Sequence, residues 1–310
     1  MKKILLATTA LALSAGVANA QALTISGEGR MGVRYDDSAF GGTNAGSNYM
    51  IENRLQFNFN VAVEGDHGLT FGAYSRARMQ MGGPAAALST AQTGMFAGSR
   101  VWVESNGLRL TFGNVDGAIR GAGVSHGYAG GCTVGYEGGQ QCGDTAGLLG
   151  VSHAHNSTAA ASAQRVRVDY SMGDTRIAVS HDRGGATELG VRTSFDAFTV
   201  ALGYTNGTGN AAANGFVAGT DVVALSGHYD GGSWGAGLLV ARGTGATNFS
   251  LSASAQLGGG EAYGYIGRVG GSNAYGLNYG YGLGGGANLV VGAERVAART
   301  TASVGVVFGF

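Results

Sequence analysis

Lysine is almost absent from this chain. Lys2 and Lys3 are the only two, and the other 17 of the 19 basic residues are arginines, set against 19 acidic residues. Beyond the first twenty positions the balance is slightly negative, so there is no bulk attraction for nucleic acid. Arginine holds its charge at any pH and carries a rigid fork, which suits a fixed charged surface in a water-filled space. Long apolar runs are also missing. Stretches such as Gly237-Leu238-Leu239-Val240-Ala241 end after a few residues, far short of the ~18–20 that a transmembrane helix needs. Proline occurs once, at Pro84, beside 60 glycines. Disordered glycine-rich chains are poor in aromatic and β-branched residues, whereas this one carries 12 Phe, 13 Tyr and many Val in ordered alternation.

The two lysines open a positive n-region, Ile4 to Val17 is a short apolar core, and Ala18-Asn19-Ala20 is a small-residue cleavage site. Residues 1–20 therefore read as a cleaved secretory signal peptide, with residues 21–310 as one exported domain. Export exposes Cys132 and Cys142, in a Gly-rich stretch, to an oxidising compartment, and a disulfide closing that loop is the expectation. Two free thiols are the alternative. A metal pair lacks further ligands at suitable spacing.

The dominant signal has period two. In residues 51–64, Ile51, Leu55, Phe57, Phe59, Val61 and Val63 alternate with Glu52, Arg54, Gln56, Asn58, Asn60 and Glu64. Such alternation sends apolar side chains to one face of a strand and polar ones to the other. Sixteen segments of this kind are expected: 23–35, 51–64, 68–80, 94–104, 108–113, 164–171, 174–181, 187–195, 197–205, 221–229, 233–241, 248–257, 261–269, 273–282, 287–294 and 299–310. The odd-numbered connections include long ones at 36–48, 81–93, 114–163 and 206–220, while the even-numbered ones are tight, as at Gly65-Asp66-His67 and Ser105-Asn106-Gly107. An even strand number with short turns at one end and longer loops at the other is the pattern of a transmembrane antiparallel β-barrel. Aromatics near strand ends, among them Tyr35, Tyr170, Phe195, Phe198, Tyr204, Tyr229, Trp234, Tyr281 and Phe310, fit interfacial girdles. In the second half the polar face is mostly Gly, Ala, Ser, Thr and Asn, odd for a soluble surface but reasonable for a lumen.

Three blocks carry a family resemblance: LTISGEGRMGVRYDD, ENRLQFNFNVAVEGDHGLTFGAYSRARMQ and LRLTFGNVDGAI. They resemble strands of the trimeric general porins of α-proteobacteria, the Rhodobacter type. The last strand, TTASVGVVFGF, ends in Phe310 and resembles the terminal aromatic signal of outer-membrane barrels. The resemblance implies an all-β barrel of about 16 strands, a homotrimer in the outer membrane of a Gram-negative bacterium among its lipids and lipopolysaccharide, and a third extracellular loop folded into the pore. It also implies passive diffusion of small hydrophilic solutes and ions, with no cofactor, no metal and no nucleic-acid partner.

The family sets acidic loop residues against wall arginines. Here the inward-phase arginines of the first four strands are Arg30, Arg34, Arg54, Arg76, Arg78 and Arg100. Arg54 and Arg76, or their neighbours, are expected to face each other across the turn at Gly65-Asp66. The third loop carries only Asp116, Glu137 and Asp144 against Arg120, so it is expected to narrow the pore by backbone bulk, with Asp116 in the GNVDGAI match as its leading constriction residue. The six histidines, His67, His126, His153, His155, His181 and His228, form no catalytic pattern, and His153 with His155 reads as a pair of solvated loop residues rather than a metal site. Two other readings stay open. A solute-specific porin needs an aromatic track, for which Tyr74, Phe96 and Trp102 are scattered candidates, and a plugged structural or adhesin barrel needs larger loops.

Overall fold

The structure, a computed structural model, describes residues 22–40, 47–81, 96, 98–124, 135, 164–206 and 215–310. Sixteen strands run β1 (Ala22–Phe40), β2 (Ser47–Glu64), β3 (Thr70–Met81), β4 (Arg100–Ser105), β5 (Leu108–Gly113), β6 (Arg165–Met172), β7 (Thr175–Asp182), β8 (Thr187–Phe195), β9 (Phe198–Thr205), β10 (Val222–Asp230), β11 (Trp234–Gly243), β12 (Ala246–Leu257), β13 (Gly260–Val269), β14 (Ser272–Gly284), β15 (Ala287–Val296) and β16 (Arg299–Gly309). One short helix, α1 (Ala118–Ala122), follows β5. Each strand pairs antiparallel with its sequence neighbours, and β1 also pairs with β16, so the sheet closes into a barrel. Closure leaves no strand edge and satisfies the backbone internally, which a lipid environment requires.

The burial pattern is turned inside out relative to a soluble protein. On β2, Ile51 is 82% exposed while its neighbours Met50 and Glu52 are 3% and 1% exposed. The same holds around the barrel, with Met31, Val101, Phe112, Val179, Leu251 and Leu277 all facing outward and exposed. The apolar phase of the alternation therefore faces lipid and the polar phase faces the interior.

Connections at one end are tight. Asn106-Gly107 joins β4 to β5 with φ of 50° and 79°, the left-handed pair of a two-residue hairpin turn, and Gly258-Gly259 does the same between β12 and β13. At the other end, 82–99, 114–164 and 206–221 are long, but 244–245, 270–271 and 297–298 are only two residues each. The alternation of loop length thus holds for the first ten strands and is lost over β11–β16. At the tight end, Phe195, Phe198, Tyr229 and Trp234 form a continuous row with ring centroids 5.8, 5.0 and 4.9 Å apart, a girdle as the strand-end aromatics suggested.

β4 departs from expectation. It begins at Arg100, not residue 94, and Phe96 makes only an isolated bridge to Ala77. Because Ser99 and its neighbours break the strand, parity is not carried through. Phe96 stands outside, 61% exposed and 5.8 Å from the outward Phe59, so it is no part of an inner aromatic track.

The β1–β16 seam is extended at one end by Phe310. The Gly27 amide donates to the Phe310 carbonyl (2.7 Å) and the Phe310 amide to the Gly27 carbonyl (3.1 Å). The Phe310 and Phe308 rings lie where Cβ atoms on Gly27 and Gly29 would stand, 2.1 Å from each would-be Cβ. Only glycine admits the two rings there.

Candidate functional site: the inner wall

All six arginines singled out from the sequence stand on the inner face of β1–β4. β1 and β2 set Arg30 directly opposite Arg54. Two carboxylates lie between the like charges: Glu28 accepts from Arg30 Nε at 2.5 Å and lies 3.8 Å from Arg54, while Glu52 lies 3.2 Å from Arg34 and 3.7 Å from Arg54. Glu52 is fully buried, so its pairing offsets a desolvation cost that would otherwise be several kcal/mol, about the scale for a buried ion.

The expected opposition of Arg54 and Arg76 does not occur. The β2–β3 connection includes a turn of 3-10 helix at Asp66–Gly68, so the register centres further along the chain. Arg54 pairs with Gln80 and Arg76 with Asn58. Arg78 instead donates twice to Gln56 Oε1, at 2.8 and 2.6 Å, and neither Arg76 nor Arg78 has a carboxylate partner among the described residues. Arg100 lies over the Tyr74 ring at 4.1 Å and Arg109 over the Trp102 ring at 4.2 Å. The two inward aromatics named as track candidates are thus capped by guanidinium groups.

Opposite this arc, the start of the third long connection is fastened to the wall. Val115, Ala118, Ile119, Ala122 and Val124 are at most 2% exposed. Helix α1 lies against β6–β9, and its first amides, which have no intrahelical acceptor, are satisfied by the wall. Ala118 N–H donates to Ser180 Oγ (2.9 Å) and Ile119 N–H to Glu188 Oε2 (3.1 Å). Arg165 donates to the Val115 carbonyl (3.3 Å) and to Asp182 (2.8 Å), with Glu188 at 3.9 Å. Arg167 donates to the Asp116 carbonyl (3.0 Å) and Asp169 (2.8 Å). Gly190 and Gly203 form the floor beneath the helix. A Cβ on Gly190 would stand 2.4 Å from the Ala118 carbonyl oxygen.

Asp116 pairs with Arg120 at 3.7 Å and is near enough to Arg76 and Arg100 to attract both. Further along the same connection, the Gly135 amide donates to Asn278 Oδ1 on β14 (2.7 Å), and the residue stands against Ser303 on β16. Glu137, Asp144, Cys132, Cys142, His126, His153 and His155 lie outside the described residues.

The wall of β9–β14 differs again. Leu239, Tyr263, Tyr265 and Val269 point inward and pack with Ile119, Val124 and Phe216 into a buried apolar cluster. The expectation of a Gly/Ala/Ser/Thr/Asn lining there missed these large side chains, although their inward phase was readable. The fastening residues Ser180, Glu188, Arg165 and Arg167 were also missed. The signal that could have found them is a pair of inward glycines, Gly190 and Gly203, on adjacent strands beside an inward carboxylate.

A closed sixteen-stranded barrel with an apolar exterior and a charged, partly filled interior is the architecture of an outer-membrane channel. The chain belongs to the Gram-negative porin family, whose model matches residues 7–301. Among solved structures, a triple mutant of the porin from Rhodopseudomonas blastica is similar, with TM-score 0.72 and 22% identity over 93% of this chain and 100% of that one. OmpF of Salmonella typhi, solved with daunomycin, shares the fold at TM-score 0.63 and 13% identity over 93% and 97% of the two chains. A loop-deletion mutant of OmpT from Vibrio cholerae does so at 0.61 and 11%, over 94% and 100%. No curated protein matches the chain. It is an outer-membrane diffusion porin.

Proposed function

We propose that this porin passes small hydrophilic solutes and ions through an opening bounded by the arginine arc on one side and the third long connection on the other. The observation that carries the reading is the fastening of residues 114–124 inside the barrel by Ser180, Glu188 and Arg165, facing Arg76 and Arg100. Gly135, held by Asn278 on the far wall, supports a connection that crosses the interior. Asp116 and Arg120 then belong to the constriction, with Glu137 and Asp144 as its remaining acids and a Cys132–Cys142 disulfide as its brace. Residues 1–20 act as the export signal, three copies assemble as a homotrimer, and no catalytic step is part of the function. Such a pore excludes solutes by width and biases ions by the positive arc.

A solute-specific pore is disfavoured by the capping of Tyr74 and Trp102, since a guanidinium over each ring occupies the face a sugar or aromatic solute would use. The test is conductance of purified protein in a planar bilayer. Stepwise insertions opening in groups of three, with conductance nearly proportional to salt concentration, are expected. Silent protein would replace the diffusion pore with a plugged barrel, and saturation by one solute would favour a specific channel.

A further inference from the structure

A second group of arginines stands on the inner wall, away from the arc of β1–β4. β7 and β8 set Arg176 directly opposite Arg192, which puts their Cβ atoms about 5 Å apart, and like charges so placed destabilise a strand pair. The pair is not neutralised. Arg167 and Arg176 share one buried carboxylate, Asp169, at 2.8 and 2.9 Å. Arg192 has neither a hydrogen bond nor an ion pair among the described residues. Three cations thus meet one acid. Arg176 Nε is buried and, among the described residues, has no acceptor.

Arg176 lies at the start of β7 and Arg192 near the end of β8, both towards the tight-turn, periplasmic end. Arg192 also reaches the end of α1, its guanidinium 3.4 Å from where a Cβ on Gly123 would stand. Capping that helix is not its task. The Arg120 and Ile119 carbonyls already accept from the Gly123 amide (2.9 Å) and the Val124 amide (3.1 Å). Beside Arg192 the wall is polar and uncharged: the Ser194 and Thr199 hydroxyls are bonded to each other at 2.9 Å, and Thr199 pairs with His228 on β10. His228 is near enough to Arg192 to feel its charge. The Arg176 side chain is 43% exposed and Arg192 is half-buried, so both forks are open to the lumen.

We propose that Arg176 and Arg192, with the Ser194–Thr199 hydroxyls and His228 at their edge, form a binding site for a phosphate dianion, free or carried by a small monoester. Such an ion presents several oxygens, and two guanidinium forks with a hydroxyl beside them take these together. A halide meets only one donor at a time. A doubly negative ion also removes the repulsion across β7 and β8 that Asp169 leaves uncompensated. The site lies past the opening between the arc and residues 114–124, so it holds an anion after that passage. The inference rests on the proposed pore for access from outside, but binding itself needs no conduction.

The test is equilibrium dialysis of radiolabelled inorganic phosphate against the full protein in detergent, at about pH 8, where phosphate is close to doubly charged. Planar-bilayer current is recorded on the same preparations. Saturable binding is expected for the wild type. Arg192→Gln, which breaks no contact among the described residues, is expected to weaken it roughly tenfold, the scale of one lost charge-assisted contact. Arg192→Lys, which keeps the charge without the fork, should fall between the two. Displacement of the label by glycerol phosphate extends the site to monoesters; label that stays bound confines it to the free ion. Equal binding by wild type and Arg192→Gln, or no saturable binding, overturns the site. Binding lost in Arg54→Gln with Arg76→Gln but kept in Arg192→Gln would move it to the arc and overturn it too. A wild type that binds phosphate but does not conduct would sink the pore reading and leave this one standing.

Discussion

The two sides of the barrel solve different problems. Along β1–β7 the inner wall is crowded with charge, and the outer connections before β4 and β6 are long. Along β11–β16 the inner wall carries Leu239, Tyr263, Tyr265 and Val269, and the outer connections shrink to two residues. The outer face differs as well: the first side has no outward arginine among its described strand residues, while the second has three. The apolar inner side supports packing, so Ile119, Val124 and Phe216 can bury against it and fill that part of the barrel. Among the described residues the charged side has no such apolar cluster packed against it.

The largest effect on this contrast is expected from Arg165→Met, which leaves the buried Glu188 without its cation. A loss of about 3–5 kcal/mol is the scale for breaking a buried pair. It should lower the urea midpoint of the folded barrel sharply, and Glu188→Gln in the same chain should recover part of it. An unchanged midpoint would show that the fastening contributes little. Next, Gly190→Val drives a side chain against the Ala118 carbonyl. About 1–3 kcal/mol of overpacking is expected, relieved by lifting α1 off the wall, so single-channel conductance should rise. Unaltered conductance would mean that residues 114–124 do not bound the opening. The smallest effect on stability is expected from Arg54→Gln with Arg76→Gln, since Arg34 still pairs with the buried Glu52 at 3.2 Å. Its readout is the reversal potential under a salt gradient, which should move towards cation selectivity; no movement would remove the arc from the ion path.

Much of the fold was legible because a barrel writes itself into sequence as alternation. β5 and β8 occupy the segments read from period two alone. Alternation fails where the chain is not a strand: β4 begins only at Arg100, and Phe96, ahead of it, does not share the inward phase of the strand. It also cannot reveal what docks on a face. Glu188 and the Ile119 amide meet across 69 residues of chain, and nothing local to either marks the other. Turn length had the same effect on a smaller scale: the residues added at Asp66–Gly68 moved Arg76 away from Arg54.

The hydrogen bonds between Gly27 and Phe310 carry a consequence for the order of events in assembly. The first strand of the chain finds one of its two neighbours only in the last strand to be made. Until β16 is paired with β1, every partly paired sheet exposes two raw edges, which a bilayer core does not tolerate. Contacts of such sequence separation are slow to form. The chain must therefore be held unsealed outside the hydrocarbon, or on another protein's edge, and seal in a single final event. Losing Phe310 would remove two backbone hydrogen bonds and the ring over Gly27 from one end of that seam, while the nine residue pairs from Glu28–Gly309 to Asp36–Thr301 still hold β1 to β16.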